Sequence, residues 1–210
     1  MSDIQNVLIV EDDPIARKLF EMYISEEETF CLSGSVESAA MAYGYCTANK
    51  TDLILMDICT AGHSSGLAEA VRIKESFPEI RIVLVTSQPE VGFIERAKEG
   101  NIDSFWYKIT DENELKDVLI RTSKGERIYP TKRPHVKIGE ITDENFSEQE
   151  LAILRELTSG DTNKQIAERL HLSPRTIENN IQRMLEKTGF GSRTSLACAA
   201  VESGIVIRDV

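Results

Sequence analysis

With 210 residues, 41% of them hydrophobic, 28% charged and a net charge of −11, the chain has the make-up of a soluble protein of two ordinary domains. The composition excludes a fibrous or disordered chain, and apolar runs such as Val7 to Val10 are far shorter than the roughly 20 residues of a membrane helix. The acidity is lopsided: residues 1–125 hold 12 basic against 22 acidic side chains, residues 126–145 hold 4 against 4, and residues 146–210 hold 8 against 9. An acidic protein is a poor partner for phosphate backbones, so the near-neutral C-terminal part has to be judged on its own geometry.

The start, MSDIQNVLIVEDD, has no basic segment ahead of its apolar run, which argues against a secretory signal and for a cytoplasmic protein. Cys31, Cys46, Cys59 and Cys198 lack CxxC spacing and companion histidines; they are expected to be reduced and mostly buried, with no zinc site.

Along the first 125 residues, short apolar runs (Asn6 to Val10, Cys31 to Val36, Asp52 to Met56, Arg81 to Val85, Ser104 to Tyr107) alternate with segments of helical spacing. The first helix starts at Pro14 and carries Ile15, Leu19 and Met22 at i, i+4 and i+7. Further helices are expected at Ser38 to Asn49, Leu67 to Ser76, Val91 to Glu99 and Glu112 to Thr122. Alternation of this kind predicts an α/β domain over residues 1–123, a five-stranded doubly wound parallel sheet with helices on both faces.

Loops at the carboxyl ends of such strands converge on one crevice. There the first strand ends in Glu11, Asp12 and Asp13, the third in Asp57, the fourth in Thr86 and Ser87, and the fifth in Lys108. Carboxylates gathered without a cation repel one another, so the cluster points to a hard divalent ion with oxygen ligands, Mg2+ being the natural candidate. A carboxylate, a hydroxyl, an ammonium and a metal are the groups phosphoryl transfer uses. Asp13 reads as a first-turn residue favoured by the helix dipole rather than a third ligand.

The runs NVLIVEDDP, DLILMD, IVLVTS and FWYK, in this order and spacing, resemble a response-regulator receiver domain across residues 4 to 122. The resemblance implies a flavodoxin-like fold in which Asp57 takes a phosphoryl group from the phosphohistidine of a sensor histidine kinase. It further implies Mg2+ held by Glu11, Asp12, Asp57 and the backbone carbonyl of Cys59. Thr86 would bind a phosphate oxygen, Lys108 would pair with the phosphoryl group, and Phe105 would be a switch aromatic that turns inward on activation. Two departures from the family pattern stand out. The loop CTAGHSSG has Ala61 at the usual proline position and is one residue longer, which predicts a less rigid loop, and Ile109 follows Lys108 where many members have a cis proline. A haloacid-dehalogenase-like phosphatase on the same topology would carry an acid two residues after the nucleophile, where Cys59 stands, so the chain is read as no enzyme. A phosphorylation-independent regulator or interaction switch with the same domains is the alternative.

Residues 124–145 lose the strand and helix rhythm and read as a linker. From residue 146 to 210 the pattern is all-α with four helices: Ser147 to Ser159, opened by an S-x-x-E capping box with Glu150, then Asn163 to Leu170, Pro174 to Thr188 and Arg193 to Ser203. Ser173 as cap and Pro174 at the first helical position set a tight turn between the second and third, a helix-turn-helix. In the third helix Ile177, Ile181, Met184 and Leu185 form an apolar stripe, while Arg175, Asn179, Gln182, Arg183 and Glu186 point away from it. Asn and Gln suit adenine edges and Arg suits guanine or phosphate, which predicts binding to double-stranded DNA.

The stretch from Phe146 to Ala197 resembles the LuxR/NarL-type DNA-binding domain in its capped first helix, TNKQIA, SPRTIENN and GFGSRTSLA. That likeness implies Glu178, Asn179 and Gln182 as base readers and Lys164, Arg175, Thr176, Arg183 and Lys187 as phosphate contacts. It also implies a dimerisation helix presenting Ala197, Cys198, Ala200 and Val201, hence an active homodimer on paired half-sites.

Overall fold

The computed structural model describes residues 4–90, 92–108, 112–131 and 134–206, with His63, Glu112 and Asn113 described by backbone alone. The chain divides into two compact units that meet in sequence near residue 132.

The first unit contains strands β1 (Gln5–Val10), β2 (Phe30–Val36), β3 (Leu53–Asp57), β6 (Arg81–Thr86) and β7 (Ser104–Tyr107), and helices α1 (Pro14–Glu26), α2 (Ala39–Ala48), α3 (Gly66–Ser76), α4 (Phe93–Glu99) and α5 (Glu112–Ser123). The strands form one parallel sheet in the order β2-β1-β3-β6-β7, so the order reverses beside β1 and opens the crevice between the ends of β1 and β3. β3 is buried along its full length, because helices cover both faces of a parallel sheet.

Helix α1 faces the sheet differently from the expected pattern. Its core side is Ala16, Phe20, Tyr23 and Ile24, whereas Ile15 is 79% exposed and Leu19 and Met22 also lie outward. Two apolar stripes share this helix at helical spacing, and only the aromatic one reaches the sheet. The expectation of buried thiols is likewise corrected: Cys46 is buried, and Cys31, Cys59 and Cys198 are exposed. Val91, the expected start of α4, and the bond from Lys108 to Ile109 lie outside the described residues.

The loop after Asp57, expected to be less rigid for want of a proline, forms a hairpin. Two short strands, β4 (Cys59–Thr60) and β5 (Ser64–Ser65), pair antiparallel across a 3-10 turn containing Gly62 at φ +74°. The hydroxyl of Ser64 lies 2.8 Å from those of both Thr60 and Ser38, and Thr60 Oγ1 accepts the backbone N–H of Ala39, so hydroxyls tie the hairpin to the start of α2. Gly66 then starts α3 so close to β3 that a Cβ would sit 1.9 Å from the Asp57 carbonyl oxygen. Only glycine fits there.

In the second unit, part of the segment read as linker is ordered: strands β8 (Lys137–Ile138) and β9 (Ile141–Thr142) form a hairpin, and Ile138 is buried in this unit's core. At its tip Gly139, φ +61°, passes so close to α8 (Pro174–Thr188) that a Cβ would meet the Thr188 carbonyl. Helices α6 (Glu148–Leu157), α7 (Asn163–Arg169) and α9 (Arg193–Glu202) complete the core with α8. α6, α7 and α9 open with reciprocal capping boxes, Ser147 with Glu150, Thr162 with Gln165 and Ser192 with Ser195. His171 takes a left-handed conformation, φ 53°, in the turn between α7 and α8.

Candidate functional site: a buried carboxylate pocket and an exposed recognition helix

The ends of β1, β3 and β7 bring Glu11, Asp12, Asp57 and Lys108 together. One oxygen from each of the three acids lies within 4.8 Å of the others; Glu11 and Asp57 are buried and Asp12 is exposed. Lys108 Nζ donates to Glu11 Oε2 at 2.7 Å and to Asp57 Oδ2 at 2.8 Å. The other Asp57 oxygen faces the Cys59 backbone N–H at 3.3 Å, and Glu11 Oε1 accepts the Asp13 N–H at 3.2 Å.

Burial pushes the carboxyls of Asp57 and Glu11 above their ordinary range, against the pull of Lys108, and each feels a further acid: Asp12 beside Asp57, Asp57 beside Glu11. Burial works against the Lys108 ammonium, but Asp57 and Glu11 outweigh it and hold the ammonium above its usual value. The pocket is therefore short of positive charge. Three carboxylates within bonding reach of one point, one open to solvent, form a hard-oxygen donor set that fits Mg2+. Asp13 stands apart as the cap of α1; its carboxylate accepts the N–H groups of Ala16 and Ile15, which hold its pKa down.

Thr86 ends β6 and is fully buried, one residue beyond the Asp57–Val85 pair of β3 and β6. Phe105 is 1% exposed and meets Tyr107 edge-on at 5.0 Å between ring centroids. The aromatic expected to turn inward on activation is thus already inside. The hydroxyls of Ser38, Thr60 and Ser64 were not expected to matter; a clustering of Ser and Thr around an acidic strand end was their only mark in the sequence.

In the second unit, Ile177, Ile181 and Met184 are buried, while Arg175, Glu178, Asn179, Gln182, Arg183 and Glu186 are exposed along the outer face of α8. Lys164 on α7 is exposed and Thr176 half-buried, its hydroxyl 2.8 Å from that of Ser173. Gln182 donates to Glu186 at 3.0 Å. Lys187 corrects an expectation: its ammonium donates to Glu150 Oε2 at 2.8 Å and to the Asn145 carbonyl at 3.0 Å, so it is engaged inside the unit rather than turned out for a phosphate. The pair holds Glu150 below the usual carboxylate range even though burial opposes it. On α9, Ala200 is fully buried in the core and Ala197 packs against it, leaving Cys198 and Val201 exposed. The expected four-residue interface is split between inside and outside.

An acid-lined pocket at the switch point of a doubly wound sheet, joined in one chain to a helix-turn-helix with a polar outward face, is the anatomy of a regulator with an input domain and a DNA-binding output. Residues 7–120, more than half of the chain, match the family described as response regulator receiver domain, and residues 144–200 match bacterial regulatory proteins of the luxR family. The chain belongs to the response-regulator family, as a two-component DNA-binding transcription regulator with a LuxR-type output domain. The response regulator VraR of Staphylococcus aureus is 26% identical over 205 residues, covering 95% of this chain and 98% of VraR. RcsB of Salmonella enterica serovar Typhimurium, solved bound to a promoter in the presence of the phosphomimetic BeF3−, shares the fold at a TM-score of 0.65 and 19% identity over 97% of this chain and all of that one. A structure of two RcsB dimers on parallel DNAs has a TM-score of 0.64, at 19% identity over 94% of this chain and 98% of that one. Among the described residues, no helix is long and apolar enough to cross a membrane.

Proposed function

We propose that Asp57 accepts a phosphoryl group from a histidine kinase in a Mg2+-dependent step, and that the modified receiver promotes pairing of two copies on adjacent DNA half-sites. The observation that carries this reading is a buried Asp57 carboxylate placed between the Lys108 ammonium and the Glu11–Asp12 acids. An Asp57 oxygen forms the new P–O bond as the P–N bond to the kinase imidazole breaks, that nitrogen keeping the electron pair. Glu11, Asp12, Asp57 and the Cys59 carbonyl would hold Mg2+, which supplies charge neutralisation for the phosphoryl oxygens. Lys108 exchanges its carboxylate partners for phosphoryl oxygens, and the Thr86 hydroxyl binds another. The chain acts as a stoichiometric acceptor, not a multiple-turnover enzyme.

On the DNA side, Glu178, Asn179 and Gln182 read base edges, and Lys164, Arg175, Thr176 and Arg183 contact phosphates. These three cations, Lys164, Arg175 and Arg183, give weak binding to a single half-site, which is the reason a pair is required. The test combines two assays. Acetyl phosphate with Mg2+ should label wild type and not Asp57→Asn, and should tighten operator binding of wild type alone. Labelling elsewhere than Asp57 removes the site; equal operator affinity with and without label supports a phosphorylation-independent regulator instead.

A further inference from the structure

The receiver sheet does not end at β7. Beyond α5 the chain returns along the free edge of β7, where Ile128 forms a parallel bridge with Ser104. The backbone N–H of Phe105 donates to the Ile128 carbonyl at 2.9 Å, and the Ile128 N–H donates to Ser104 Oγ at 3.1 Å. Ser104 is fully buried, and its hydroxyl lies 2.6 Å from that of Thr122 on α5. On either side, Tyr129 Oη donates to the Ile102 carbonyl at 2.5 Å, and Arg127 Nη2 to Asn101 Oδ1 at 2.5 Å. Lys98 of α4 stands 5.3 Å above the Tyr129 ring, and the Ile128 side chain packs on the sheet core. A segment read from sequence as linker is therefore bonded through Ile128 to the strand that carries Phe105, and through Arg127 and Tyr129 to Asn101 and Ile102 just ahead of it.

We propose that residues 127–129 are a strand-added clamp: they hold the linker on β7 in the resting receiver and are released when β7 rearranges around phosphorylated Asp57. The inference rests on the phosphotransfer reading of Asp57. Lys108, bonded here to Glu11 and Asp57, follows Phe105 by three residues on one extended segment. Any shift of Lys108 toward a phosphoryl group is passed along β7 to the Phe105 amide, which is the clamp's donor. With the clamp closed the receiver is bonded out to Tyr129; opened, its last internal bonds are those of Glu126 to Arg121 at the end of α5. Opening therefore adds residues 127–129 to the span between the two units, about 10 Å of extended chain. A longer reach lets two DNA-binding units occupy paired half-sites. By linkage, weakening the clamp must favour the released state without any phosphoryl group.

Two measurements on the full chain test this. Amide hydrogen exchange at Phe105 and Ile128 should quicken about tenfold or more when Mg2+ and BeF3− are added; unchanged protection with BeF3− bound overturns the clamp. Tyr129→Phe and Ser104→Ala each remove one clamp bond, and each should raise operator affinity without phosphodonor by roughly 3- to 10-fold, with the further gain from acetyl phosphate shrinking by the same factor. Affinity that is unchanged or lowered in a variant still folded by Trp106 fluorescence overturns the clamp. If Ser104→Ala does not fold, Tyr129→Phe and the exchange measurement decide. A wild type that gains no affinity from phosphodonor defeats the phosphorylation reading and the clamp with it, whereas a wild-type gain retained in full by both variants defeats the clamp alone.

Discussion

Removing the Lys108 ammonium isolates the electrostatics of the acid pocket. Lys108→Met takes away two ion pairs, at 2.7 Å to Glu11 and 2.8 Å to Asp57, and both acids have less than 10% of their side-chain surface exposed. Breaking a buried pair by removing one partner costs about 3–5 kcal/mol, because the remaining charge is left uncompensated. For a unit of this size that is a fall in Tm of roughly 12–20 °C. The sign of the pH dependence follows from the direction of the shifts. Glu11 and Asp57 titrate above their unfolded values, so their stabilising contribution is complete below the unfolded carboxylate pKa and is lost as pH rises through the folded pKa. Losing Lys108 removes a cause that lowers both values, so the loss of stability shifts to higher pH and grows. In EDTA, the variant should therefore approach wild type near pH 4–5 and fall furthest below it near pH 8. Saturating Mg2+ should narrow the difference, because the ion binds the variant more tightly once the Lys108 ammonium no longer competes for Glu11 and Asp57, each tenfold in Kd adding about 1.4 kcal/mol. Trp106 is the only tryptophan and is buried in the receiver core, so urea unfolding followed by its fluorescence reports on this unit. Equal midpoints for variant and wild type in EDTA at pH 8 would refute the reasoning.

Other perturbations separate structural from functional groups. Asp57→Asn removes a buried charge in a pocket short of cations, so in EDTA at pH 7–8 it should raise the Trp106-monitored midpoint. A lowered midpoint would contradict the direction given for Asp57. Gly66→Ala should cost the receiver about 3 kcal/mol or more, as its Cβ would press on the Asp57 backbone oxygen, and thermal unfolding would reveal a tolerant site by an unchanged Tm. Lys187→Met should weaken the DNA-binding unit by roughly 2–4 kcal/mol through the buried Glu150 it abandons. Because Glu150 titrates low when paired, that stability is present at neutral pH and is lost only as pH falls through its folded pKa, a trend that helix circular dichroism can follow. Arg175→Gln should flatten the salt dependence of half-site binding by about 0.9 in log–log slope, and Lys187→Met should leave that slope alone.

Much of the first unit was legible because its signals are local. Five apolar runs separated by helical spacings are enough to define the parallel sheet, and the acids at the ends of β1 and β3 must meet wherever those strands are neighbours. The outward face of α8 was legible for the same reason, since its apolar stripe repeats along one helix. What local pattern could not supply was choice among equivalents. Ile15, Leu19 and Met22 repeat with helical spacing as well as Phe20 and Tyr23 do, and only the position of the sheet decides which set is inside. The loop after Asp57 carries no strand pattern, because its order comes from hydroxyl contacts to Ser38, distant in sequence. Residues 127–129 read as linker since a strand of one bridge has no periodicity to detect.

The same limit governs how charge is read as affinity. From sequence, Lys187 counts as a cation available to DNA on the same terms as Arg175, and both sit on the helix that would face a duplex. The fold distinguishes them: Lys187 is bonded to Glu150 and the Asn145 carbonyl, Arg169 to Glu156 and Asp161, and Arg193 to Asn163 and the Asp161 carbonyl. Each of these would have to break an internal bond before releasing a DNA counterion, which cancels most of the gain. Lys164, Arg175 and Arg183 remain as the exposed cations of the α7–α8 pair. At about 0.9 per neutralised phosphate, they set a log–log salt slope near −2.7 for one copy on a half-site and near −5.4 for a pair. A measured slope for the paired complex no steeper than for a single copy would mean that the second copy is held by protein contacts alone, and would leave its recognition helix without a role at the operator.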